Sequence, residues 1–170
     1  MATADVTVRD ARVSDLPAIF AIYNEQVLHG TATFDTEVKE LPRDEAWLTA
    51  RDLSRHPVIV AELDGRVAAW GSLSQWSARC AYARAAEESV YVHEDFRGRG
   101  LGRVVLEALI ERGRRAGLGV LLARIAEGNP ASIALHERVG FRRIGTMRRV
   151  GEKFGRILDV ELMDLHLDGG

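Results

Sequence analysis

The stretch Glu87–Arg103, EESVYVHEDFRGRGLGR, decides the reading of this chain. It opens as a strand, because Val90, Tyr91 and Val92 are β-branched or aromatic and suit a pleated surface. It breaks at His93–Arg97, and glycine then takes every second position at Gly98, Gly100 and Gly102. A helical pattern follows. Leu101, Val104, Val105, Ala108 and Leu109 make an apolar stripe, with Glu107, Glu111, Arg112 and Arg115 largely opposite it. A strand, a glycine-rich turn and a helix N-terminus together form a phosphate site. Unpaired amides point at the anion, the helix dipole favours its charge, and glycine lets the backbone come close.

Spacing narrows the kind of phosphate. A Walker loop requires a lysine and a hydroxyl residue after the glycines, and neither is present. A dinucleotide fingerprint counted from Gly98 or from Gly100 meets Arg103 or Val105 where its third glycine belongs. What remains is Arg97-x-x-Gly100-x-Gly102 after a strand. This resembles the pyrophosphate loop of the GCN5-related N-acetyltransferase (GNAT) family, which cradles the diphosphate of acetyl-CoA.

Downstream, Gly117-Leu118-Gly119 stops the helix, and Val120–Ala126 suits a buried strand. Asn129-Pro130 starts a short helix to Val139, capped by Gly140. Two strands, about 141–150 and 156–167, turn around Gly151–Gly155. Upstream, residues 75–86 read as a loop, and strands 58–63 and 66–74 are joined by the hairpin signal Asp64-Gly65. A helix is expected over 42–54 with Trp47, Leu48 and Leu53 inward, ended by Pro57. Gly30–Phe34 is a loop. Ser14-Asp15 opens a helix to about residue 29, with Leu16, Ile19, Phe20, Tyr23 and Val27 on one face, after a strand at 5–12. The order β-α-α-β-β-β-α-β-α-β-β predicts one mixed α/β domain. A parallel crossover at 88–126 is set in an otherwise antiparallel sheet.

Composition excludes several classes. The chain has 170 residues, 46% apolar and 28% charged, with net charge −2, so no basic field points to nucleic acid or an anionic membrane. Of its 23 basic residues only Lys39 and Lys153 are lysine, which lowers the information in any one arginine. The one cysteine, Cys80, gives no disulfide framework, and there is no apolar leader or membrane span; a cytoplasmic protein is expected. No zinc-ligand spacing is found, and no metal is expected.

A second motif supports the family resemblance: Asn129-Pro130-x-Ser132-x-x-Leu135-His136-Glu137-x-x-Gly140-Phe141 is similar to its segment after the fifth strand. Trp76-x-x-Arg79-x-x-Tyr82, Glu87, Ser89–Val92, Thr33-Phe34 and Leu135–Glu137 resemble the phosphinothricin and methionine sulfoximine acetyltransferases. The resemblance implies an acetyl-CoA-dependent enzyme, a homodimer, that acetylates the α-amino group of small amino-acid analogues. Relatives often carry a polar residue at 83 and threonine at 85; here both are alanine, and Arg84 is the possible substitute.

The resemblance also implies roles. Gly98, Arg99, Gly100, Leu101, Gly102 and Arg103 bind the diphosphate through their amides, with charge from Arg97 and Arg103. Strand amides of Val90, Tyr91 and Val92 stabilise the oxyanion. Asn129 and Ser132 belong to the pantetheine segment, with a helix cap the other role for Asn129. Glu87 is the expected base that takes the ammonium proton, and Glu88 its rival. Strand alternation puts Glu87, Ser89 and Tyr91 on one face and Glu88, Val90 and Val92 on the other. His136 either reprotonates the leaving thiolate, hydrogen-bonds the coenzyme, or is structural. Arg79 and Tyr82 are candidates for the substrate's acidic group, and Phe34 is a loop anchor or a substrate contact. Two alternatives stay open. One is an acetyltransferase of a protein N-terminus, polyamine or aminoglycoside; the other is an acyl-CoA-binding module without turnover.

Overall fold

The computed structural model describes residues 5–169. Its elements are β1 (Val6–Asp10), α1 (Leu16–His29), α2 (Ala46–Thr49), β2 (Val58–Leu63), β3 (Arg66–Gln75), β4 (Ala85–Val92), α3 (Leu101–Arg115), β5 (Val120–Ala126), α4 (Pro130–Arg138), β6 (Arg142–Lys153) and β7 (Arg156–His166). This is the order expected from the sequence. The strands form one sheet, β1-β2-β3-β4-β5-β7-β6, in which only β4 and β5 run parallel.

Local chemistry sets the boundaries. Asp64 and Gly65 both have positive φ, 52° and 75°, as a two-residue mirror-image turn requires. Helix α3 ends where Leu118 N–H donates to Gly113 O and Gly117 N–H to Arg114 O, with Gly117 at φ 72°. Helix α4 ends in the same way, through Phe141 to His136 and Gly140 to Glu137.

Two apolar layers cover the sheet. On one face, Ile59, Ala69, Leu73, Leu121 and Ala123 pack with Val105, Leu106 and Leu109 of α3. On the other, Val58, Val60 and Trp70 pack with Leu16, Ile19 and Phe20 of α1 and with Leu48 of α2. Gly71 lies under α3. A Cβ there would come within 2.6 Å of Val105, so the helix sits close because this position has no side chain.

Two expectations are corrected. The helix predicted over 42–54 is one turn long, and Leu53 is 43% exposed. The flanking backbone is engaged locally instead. The Asp44 carboxylate accepts from Glu40 N–H, and the Asp52 carboxylate from Ser54 N–H and Oγ–H, bonds that compete with a helix ladder. The last hairpin turns at Phe154-Gly155 alone, both with positive φ, so β6 runs on through Gly151 to Lys153.

The feature that positions the site is a parting of strands. β4 and β5 pair only at Ala85–Glu87 with Val120–Leu122. His93 N–H donates to Ala68 O at 2.9 Å, so by antiparallel alternation Ser89 and Tyr91 bond to β3. The amides of Val90 and Val92 are thereby left facing the gap.

Candidate active site

The β3–β4 register pairs Ser74 with Glu87, Ser72 with Ser89 and Trp70 with Tyr91, all on the α1 face. Going down this ladder the surface changes from charged to hydroxylated to aromatic. A cavity of about 220 Å³ opens over its lower part, between the sheet, α1 and α2. Its aromatic walls interlock. Trp70 stacks on Tyr91 at 4.9 Å between ring centres, Trp47 meets Trp70 edge-on at 5.4 Å, and Tyr23 meets Tyr91 at 5.3 Å. Burial pushes the Tyr91 hydroxyl above its ordinary pKa, and burial with the Asp35 carboxylate does the same for Tyr23. Trp70 is 3% exposed, and its indole Nε1–H has no partner among the described residues.

At the top of the ladder stands Glu87, the last β4 residue paired with β5. Arg124 of β5 holds its carboxylate with two hydrogen bonds, Nε to Oε1 at 2.7 Å and Nη2 to Oε2. The Arg124 guanidinium lies 5.3 Å over the Trp76 ring, and the Glu87 bond raises its pKa.

Glu88 points to the opposite face and is buried. Its Oε1 meets Nε2 of buried His136 at 2.7 Å, while His136 Nδ1 lies 2.6 Å from the Ser132 carbonyl and 3.5 Å from Ser132 Oγ. Burial alone would lower the His136 pKa; the Glu88 hydrogen bond and charge outweigh it, and the net shift is upward. Both ring nitrogens are engaged, which leaves neither for a thiolate or a coenzyme. Glu88 Oε2 is without a partner among the described residues.

The glycine loop fits an anion. Gly98 and Gly100 adopt φ of 76° and 80°, and beyond their immediate chain neighbours no described residue comes within 4 Å of where their Cβ atoms would be. Gly102 is the close approach: its Cβ would lie 3.2 Å from Leu135 and 3.7 Å from Val92. No side chain caps α3, so its first-turn amides, Leu101 to Arg103, face outward unpaired. Arg97 pairs with Glu25 of α1 at 3.0 Å and reaches Val92 O, Arg99 lies over Phe96, and Arg103 turns along the helix to Glu107. Among the described residues no group of three His, Cys, Asp or Glu side chains is placed to hold a metal.

Comparison with known proteins identifies the fold. Residues 16–141 match the acetyltransferase (GNAT) family. The chain is 45% identical over 163 residues, 95% of each protein, to an L-methionine sulfoximine/L-methionine sulfone acetyltransferase of Pseudomonas paraeruginosa. It is 38% identical to a phosphinothricin N-acetyltransferase of Alcaligenes faecalis, covering all of this chain and 87% of that one. A Salmonella typhimurium acetyltransferase solved with its cofactor acetyl-CoA superposes with a TM-score of 0.93 at 41% identity, over 97% of this chain and 95% of that one. The chain belongs to the acetyltransferase (GNAT) family.

In this GNAT chain the other expected positions are dispersed. Asn129 donates to Thr31 Oγ1 at 3.1 Å and to Ala126 O at 2.9 Å; its side chain makes no helix cap. Phe34 lies against Gly151, where a Cβ would come within 2.1 Å of its ring, so it anchors its loop to β6 rather than lining the cavity. Arg79 and Tyr82 sit on an exposed turn away from the cavity. Arg84 pairs with Asp168 and lies over Gly119, so it does not stand in for the missing polar residues at 83 and 85.

Sequence reasoning missed Arg124, Trp70 and Lys153. Lys153 is buried; its Nζ donates to Thr33 O at 2.8 Å and Gln26 O at 3.0 Å, which fastens the 30–34 loop to the end of α1, and burial lowers its pKa. Its rarity was a signal, since a lysine stands out in a chain that otherwise uses arginine. Trp70, Ser72 and Ser74 were visible as alternate positions of one strand.

Proposed function

We propose that this chain moves an acetyl group from acetyl-CoA to the primary amine of a small amino-acid-like substrate. The expected type is methionine sulfoximine, methionine sulfone or phosphinothricin, as the names of its relatives suggest. The observation that carries this is the position of Glu87. A carboxylate stands on the cleft face where β4 leaves β5, three residues before the free amide of Val90 and above a cavity with aromatic walls.

Acetyl-CoA supplies the activated thioester. The residues fit it: the open positive-φ glycines and uncapped α3 amides suit the diphosphate, and the β4–β5 gap suits the arm. Glu87 attracts the substrate ammonium and accepts its proton. The amides of Val90 and Val92 donate to the carbonyl oxygen as charge builds on it. His136 is assigned a structural role, because both its nitrogens are engaged. A cytoplasmic homodimer belongs to the same reading, with the exposed Arg79–Tyr82 turn as a surface the second copy would cover; light scattering tests the dimer.

The test is thiol release from acetyl-CoA against a panel: methionine sulfoximine, methionine sulfone, phosphinothricin, the standard amino acids, polyamines and short peptides. Turnover concentrated on the amino-acid analogues is the expected result. Turnover on peptides or polyamines alone would replace the substrate. Coenzyme binding with no product from any amine would replace the activity.

A further inference from the structure

Glu87 and Arg124 stand on opposite lips of the β4–β5 gap and form one ion pair, the negative member on β4 and the positive on β5. We propose that Arg124 is the receptor for the substrate's α-carboxylate, reached by exchange of partners. The incoming ammonium replaces Arg124 on Glu87, and the incoming carboxylate replaces Glu87 on Arg124. This rests on the reading above that the substrate is an amino-acid-like amine.

The geometry suits the exchange. Arg124 holds Glu87 through Nε and one Nη, the two-pronged face that any carboxylate can take. Among the described residues Glu87 is its one ion-pair partner. The guanidinium is 49% exposed and rests on Trp76, so it is supported while it changes partner and is open to solvent from which a substrate arrives. Ion pairs with exposed members are held weakly. The exchange leaves every charge paired, since one ion pair and one zwitterion become two ion pairs.

Rival cations are committed elsewhere. Arg84 is held by Asp168, Arg51 by Leu73 O and Ser74 Oγ, and Lys153 by two carbonyls; Lys39, which lines the cavity, pairs with Asp35 at 3.8 Å, and Arg79 is exposed on the turn before β4 with no ion pair to Glu87 among the described residues. Direction agrees as well. Ser89 lies two residues from Glu87 on the same face, roughly 7 Å along the strand, and lines the cavity. An amino acid held at Glu87 and Arg124 therefore has beside it, down the same face, a cavity lined by Ser89 and Trp70 that can take its side chain. An amine without a carboxylate must separate Glu87 from Arg124 and leave the guanidinium unpaired. Arg124 thus acts for selection of amino acids over simple amines.

The experiment compares kcat/KM by thiol release for wild type and Arg124→Gln on L-methionine sulfone and on its decarboxylated amine, with Arg124→Lys as the conservative variant. Wild type is expected to prefer the amino acid. In Arg124→Gln that preference should fall about 10- to 100-fold, the range for losing a charge-assisted hydrogen bond, chiefly through KM for the amino acid, and Arg124→Lys should recover part of it. Equal losses on both substrates, or an unchanged preference with amino-acid turnover intact, would overturn the role of Arg124 and leave the acetyltransferase reading standing. A wild type that turns over no amino acid would remove the substrate reading and this proposal together.

Discussion

Glu87 and Glu88 are consecutive, and each holds a basic side chain from far along the chain, Arg124 for the first and His136 for the second. One step of strand alternation separates their circumstances. The Glu87 side chain is 19% exposed and its partner 49%; those of Glu88 and His136 are both 5% exposed. Water screens the first pair and can take over its bonds, so it is weak and free to change partners. The second pair is out of water, where each charge depends on the other. The same two-charge motif is thus suited to chemistry on the open face and to fixing α4 against β4 on the closed one.

Breaking the buried pair should have the largest effect on stability. His136→Ala leaves the Glu88 carboxylate with no partner on either oxygen, one being unpartnered already. A loss of about 3–5 kcal/mol is expected in urea unfolding. A loss as small as that of a surface substitution would end the contrast between the faces.

A smaller effect comes from protons. The His136 pKa is raised in the folded chain. Its stabilisation is therefore complete below the unfolded value, about 6.5, and is lost as pH rises through the folded one. The thermal midpoint should fall as pH moves upward from about 6.5, and Glu88→Gln should flatten that fall. A wild-type profile that is already flat would show that Glu88 does not hold the proton. The smallest effect belongs to the open pair: Arg124→Ala should change unfolding free energy by no more than about 1 kcal/mol, and a larger loss would mean that both pairs are structural.

Much of this is legible in the sequence. The alternate glycines at 98, 100 and 102, Asp64-Gly65, and the caps at Gly117 and Gly140 are local signals, and local chemistry sets them. Alternation also placed Glu87 and Glu88 on opposite faces. The partners were not legible, because Arg124 and His136 lie 37 and 48 positions away and no periodicity reports a contact across strands. The helix over 42–54 failed for a related reason. Its apolar spacing was helical, but Asp44 and Asp52 offered the backbone nearer bonds. Arg79 and Tyr82 were chosen by resemblance alone, and the fold of one chain leaves them on an exposed turn.

The two glutamates can be separated directly by measuring kcat at saturating acetyl-CoA and methionine sulfone for Glu87→Gln and Glu88→Gln in one buffer. The account predicts that Glu87→Gln loses about 100- to 10,000-fold in kcat and keeps its unfolding midpoint, while Glu88→Gln keeps kcat within a factor of a few. Full kcat in Glu87→Gln, or an equal loss in Glu88→Gln, would contradict the assignment of chemistry to the open face.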